Sequence, residues 1–133
     1  MEFDKRIKYW LDISQYDLET AEVMLEGKRF LYVGFMCHQA IEKILKGYYV
    51  SIHGNNPSHT HNLTYLITQC GISVDLSNEY KDLIDTLDPL NVEARYPTHK
   101  EQLLKALSYE RCQEIIDRTR ELYRWIKERL LKK

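Results

Sequence analysis

The chain has 133 residues, enough for one domain with a sizeable core. Its 19 basic and 20 acidic residues leave a formal charge of -1, so the totals announce neither a nucleic-acid nor a membrane partner, although a local basic patch is hidden by any such total. Three widely spaced cysteines, Cys37, Cys70 and Cys112, form no CxxC pair, which argues against a disulfide framework or a structural zinc site.

The start of the chain, MEFDKRIKYW, mixes acids and bases without an apolar segment, so no signal peptide is read there. No apolar run approaches the length of a membrane span, and a cytoplasmic protein without a membrane partner is the expectation. With 5 Gly and 3 Pro, turns should be few and elements long.

The first predicted helix runs from about Asp4 to Glu26. Ile7, Trp10, Leu11, Ser14, Leu18, Ala21, Met24 and Leu25 make its stripe, and Gly27 is placed to supply a left-handed cap. A short GKR link then leads into a second helix, so the two should pack as an antiparallel hairpin.

That second stretch, Arg29 to Gly54, carries apolar residues at Tyr32, Val33, Phe35, Met36, Ala40, Ile41, Ile44, Leu45, Tyr48 and Tyr49, an unusually wide helical face. A polar set, His38, Gln39, Glu42, Lys43 and Lys46, runs between them at helical spacing. We read this helix as the post around which the other segments pack.

After Gly54 the residues Asn55, Asn56 and Pro57 predict a loop. A short helix follows from roughly His61 to Cys70, with Ser58 or Thr60 as its cap and Gly71 as its stop. Another begins near Asp75 or Ser77, with Leu76, Tyr80, Leu83, Ile84 and Leu87 at helical spacing. Pro89 should kink or end it.

Leu90 to Lys100, LNVEARYPTHK, has no sustained period and reads as a loop. The last helix, about Tyr109 to Leu130, presents Cys112, Ile115, Ile116, Thr119, Leu122, Tyr123, Ile126 and Leu130 on one face. No strand alternation or repeat is visible. The expectation is one all-α domain over residues 1–133, an up-and-down bundle of four long helices and one short one.

Several constellations suggest chemistry, each with an ordinary alternative. His53, His59 and His61 cluster after the second helix, but no HxxxH pair or nearby Cys completes a metal site, and helix-start packing explains His59 and His61. No cofactor is called for. Arg95 and His99 pair a phosphate-holding guanidinium with a proton-moving imidazole, which together suffice for metal-independent RNA cleavage. Against that stands Arg95 paired with an acid and Tyr96–Pro97 plugging the bundle end. Lys43 and Lys46, with Lys28, Arg29 and Arg95, suggest a phosphate-binding groove, or simply a solvated face. The 10 tyrosines supply stacking surface or half-buried packing.

The order DLETAEVMLEGKRFLYVGFMCHQAIEKILKGYYV, then PSHTHNLTYL, then ARYP, then a long final helix, resembles the HEPN domain family. The residues that carry the likeness are His38-Gln39-Ala40, Glu42-Lys43, Leu45-Lys46, Thr60-His61-Asn62-Leu63 and Arg95-Tyr96-Pro97, and it spans about Asp12 to Leu130.

The resemblance implies an all-α bundle that forms a homodimer with a polar cleft between subunits. It also implies a small prokaryotic protein, often encoded beside a minimal nucleotidyltransferase in a toxin–antitoxin-like pair. Many members are metal-independent endoribonucleases whose motif is an Arg, four to six residues, then a His; others bind nucleotides or serve as scaffolds. Here Arg95 and His99 are separated by three residues, and Glu101 stands where the tyrosine-modified branch carries Tyr.

The leading expectation is therefore a dimeric module holding a nucleotide or RNA phosphate with Arg95, Lys43, Lys46 and Tyr96. The alternatives are an active nuclease using Arg95 and His99 as catalytic residues, and a structural dimer with a vestigial cleft.

Overall fold

A computed structural model describes residues 4–92 and 97–132, without the side chains of residues 92, 97–100 and 103. Among the described residues there are six helices and no strand: α1 (Lys5–Glu26), α2 (Phe30–His53), α3 (Leu63–Cys70), α4 (Asn78–Val92), α5 (Pro97–Ala106) and α6 (Tyr109–Leu131). The fold is an all-α bundle, as the periodicity predicts.

α2 packs against each of the other five helices. Its buried face includes Val33, Cys37, Ala40, Ile41, Ile44, Leu45 and Tyr48, which explains why its apolar arc is wider than that of a surface helix. α1 lies against it as the second arm of a hairpin and reaches α6 through a buried hydrogen bond between Ser14 and Tyr123, 2.9 Å. All eight residues of the predicted α6 stripe are buried. Burial pushes the Cys37 thiol up to about 12 and the Cys112 thiol to about 11, so both behave as small core residues.

Caps locate most helix ends. Asp4 accepts from the Arg6 amide, Asn62 from Tyr65, and Ser108 from Arg111. Gly54 and Gly71 take the left-handed conformation at φ 75° and 71°.

Four expectations are corrected in detail. The α1–α2 turn puts Lys28, not Gly27, at positive φ (58°), because the turn closes through hydrogen bonds from Lys28 to Leu25 and from Arg29 to Met24. Asn62 caps α3 in place of Ser58 or Thr60; the Thr60 hydroxyl instead accepts from the Asn62 amide. Of the kink or end expected at Pro89, the end is excluded: α4 continues three residues past it. The predicted loop from Leu90 to Lys100 contains the end of α4 and the start of α5, where Pro97 occupies the first helical position and its missing N–H is no loss.

What holds α4 beyond Pro89 is a close approach. A Cβ built on Gly34 would lie 2.6 Å from Leu90 Cδ1, so only glycine lets Leu90 seat against α2. Gly34→Ala should destabilise the protein by about 1–3 kcal/mol through overpacking. Urea unfolding checks this, and adding Leu90→Ala should restore part of the loss.

Candidate functional site

Side chains four apart on a helix advance only about 40° around its axis, so His38, Glu42 and Lys46 form one row along α2, with Gln39 and Lys43 in the row beside it. The first row is not a solvated edge. His38, Glu42 and Lys46 are 0%, 1% and 6% exposed. A row of polar groups inside an apolar face must find polar partners there.

Glu42 is the centre of that network. Lys46 Nζ donates to its Oε2 at 3.3 Å, and His61 Nδ1 lies 2.9 Å from its Oε1. A carboxylate only accepts, so His61 Nδ1 is the donor here, on a side chain that is 62% exposed. His38 lies between two carboxylates, with Nδ1 3.9 Å from Glu42 Oε1 and Nε2 3.7 Å from Asp88 Oδ1. Both ring nitrogens are buried without a hydrogen bond of ordinary length. Burial drives the His38 pKa down, opposed by Glu42, Asp88 and the backbone at His61. Burial thus favours the neutral ring.

The second row reaches two other helices. Gln39 Nε2 donates to Asn91 Oδ1 at 2.8 Å, and Lys43 Nζ donates to Gln39 Oε1 at 2.7 Å. Asp17 of α1 stands 3.7 Å from Lys43 Nζ; burial pushes its carboxyl up and Lys43 holds it down. Asp88 of α4 accepts from the Leu63 amide at 3.0 Å and from the Thr64 hydroxyl at 3.4 Å, tying the start of α3 to the same cluster.

The candidate residues thus separate. Lys43 and Lys46 lie on adjacent rows, Lys43 toward Asp17 and Gln39, Lys46 toward Trp10 of α1 at 5.9 Å from the ring centroid. Lys28 and Arg29 sit at the opposite end of α2, about 25 Å along the axis from Lys46, and share no groove with it. Arg95 and Tyr96 lie outside the described residues. His99 falls in the first turn of α5, its side chain also outside the description. Among the described residues no group of three His, Cys, Asp or Glu side chains is placed to hold a metal ion; His53 instead meets the Gln69 carbonyl at 2.9 Å. Asp17, His61, Asp88 and Asn91 were invisible as partners in the sequence. The one available signal was polar residues at i, i+4 inside an apolar arc.

The HEPN domain model matches residues 7–130, which takes in α1 to α6 and every residue of this network. The chain belongs to the HEPN domain family. Two solved structures share the HEPN fold of this chain. TT1696 from Thermus thermophilus superposes with a TM-score of 0.78 at 20% identity, covering 92% of this chain and 97% of that one. ST0689, an archaeal HEPN homologue, gives 0.64 at 20% identity, covering 96% and 99%. None of the curated proteins matches. In this HEPN chain no helix of the described residues is long and apolar enough to cross a membrane.

Two measurements probe the network. Glu42→Leu strands a Lys46 side chain that is 7% exposed and should cost about 3–5 kcal/mol, whereas Glu42→Leu with Lys46→Met should recover most of it. The pH dependence follows from His38. The unfolded chain protonates this side chain near 6.5, while the folded one resists until lower pH, so the unfolded state takes up more protons and stability falls as pH drops below about 6.5. Urea midpoints at pH 7.5, 6.5 and 5.5 should decline less steeply in His38→Gln; parallel lines would rule out a neutral buried His38.

Proposed function

We propose that this HEPN protein is a dimeric cytoplasmic module that binds nucleotide or RNA phosphate and works with a minimal nucleotidyltransferase in a toxin–antitoxin-like pair. The observation that carries the binding reading is the placement of Lys43. Its side chain is 21% exposed, its ammonium is held between Gln39 and Asp17, and Gln39 is bonded in turn to Asn91. Asn91 is four residues before Arg95 in the sequence, and Gln39 links it to the cation on α2.

A preorganised cation loses little side-chain freedom on meeting a phosphate, which favours contact over a freely moving surface lysine. Arg95 adds a planar fork suited to phosphate oxygens, and Tyr96 a ring for stacking. The dimer and the nucleotidyltransferase partner rest on family membership.

The test is fluorescence anisotropy of a labelled single-stranded RNA, in EDTA, across a salt series. Arg95→Ala and Lys43→Ala should each weaken binding and lower the slope of log K against log salt by about 0.7, the single-strand value per phosphate contact. Light scattering on the same samples should give twice the 15.9 kDa of one chain. Binding indifferent to both substitutions would discard the phosphate site. RNA cleavage in EDTA that His99→Ala abolishes would instead make the protein a nuclease.

A further inference from the structure

α1 carries a second apolar stripe, which no other described residue covers. Its inner stripe, Ile7, Ser14, Leu18, Ala21 and Leu25, is buried against the bundle. On the opposite side Tyr9, Tyr16 and Val23 are 60%, 66% and 61% exposed. Residues seven apart drift only about 20° around a helix at each step, so the three form one line about 21 Å long. Among the described residues no other helix exposes three large apolar side chains. Single exposed apolar groups are ordinary, whereas an aligned set marks a contact surface. Tyrosine suits such a surface, because its ring buries well and its hydroxyl tolerates water.

The charges beside this line run from basic to acidic. Lys5 and Lys8 flank its start, Glu19 and Glu26 its end, and all four are exposed. Lys8 is held by Asp12 at 3.0 Å, an exposed pair of little worth, and neither Lys5 nor Glu26 has an ion pair among the described residues. An anionic lipid surface would meet acids along half of the line. An uncharged apolar segment would leave both ends unmatched.

A second copy of α1, turned end for end, matches both ends at once. With Tyr16 on the two-fold axis, Tyr9 faces Val23 of the second copy, and Lys5 and Lys8 come within about 5 Å, along the axis, of its Glu26. Lys8 and Glu26 also lie on the same flank of the line. Near the centre Asp12 approaches Glu19 of the second copy, an acid pair that Lys8, already on Asp12, offsets. A parallel pairing would set each charge against its own kind.

We propose that this outer face of α1 is where two copies of the chain pair, antiparallel, with Tyr16 against Tyr16 on the two-fold axis. The inference rests on the dimer proposed above and supplies its surface and register. In such an isologous contact every residue counts twice, which lets a short apolar line contribute.

Cross-linking of the full chain reads the register. The three native cysteines are buried, so an introduced thiol on α1 is the exposed one. Under mild oxidation at micromolar protein, Tyr16→Cys should form a disulfide-linked dimer at least about tenfold faster than Val74→Cys, a control at a 94% exposed position. Tyr9→Cys and Val23→Cys should each remain single chains when alone and link when mixed. Lys8→Glu should weaken dimerisation about tenfold in sedimentation, and Glu26→Lys added to it should restore the dimer.

Equal rates for Tyr16→Cys and the control would overturn the inference. So would self-linking of Tyr9→Cys alone, or a doubly reversed chain that dimerises no better than Lys8→Glu. If Tyr16→Cys fails to link while light scattering still gives twice the mass of one chain, the surface is wrong and the dimer stands. A single-chain mass removes both.

Discussion

The polar seam along the central helix is built around one buried carboxylate. Glu42 sits in the middle of the central helix at 1% exposure, and an ion in that position must be compensated by groups that are themselves held in place. Lys46, one turn along, supplies the charge. His61 supplies a second contact, and to reach Glu42 the chain after α2 must fold back across the helix it has just left. That return places Asn62 at the start of α3 and brings Leu63 under Asp88, which docks α4. A hydrophobic side chain of similar size at position 42 would pack without these demands. What the carboxylate adds is register: it specifies which loop residue and which lysine must meet.

The parts of the fold that were legible are those where a local rule and the tertiary structure agree. The α6 stripe is one, since a long helix with a single apolar face has one way to bury it. Gly54 and Gly71 are others, because a left-handed helix end favours glycine regardless of surroundings. Legibility failed where distant contacts overrule the local signal. Pro89 removes one hydrogen bond from α4, yet Leu90 seated on Gly34 and Asn91 bonded to Gln39 carry the helix onward. Pro97 opens a helix, and a proline at a first helical position looks in sequence like a proline that breaks one.

The polar row was visible as a pattern, but its meaning was not. Periodicity placed His38, Glu42 and Lys46 on one line; it had no way to distinguish a wet edge from a buried seam. The deciding partners lie far off in the chain, 19 residues away for His61 and 52 for Asn91, and no spacing rule reaches that distance. Trp10 was read as one more core residue of α1. Only the crossing at Gly47 brings it against α2.

Lys46 stands at the edge of that seam, and this has a thermodynamic consequence. Its ammonium is shared between Glu42, 3.3 Å away inside the bundle, and the face of Trp10 of α1. Without Lys46 the other group within hydrogen-bonding distance of Glu42 is His61, on a side chain 62% exposed. The buried carboxylate would then lose its charge partner and keep a contact that water can reach, so the register it specifies depends on the lysine one turn along.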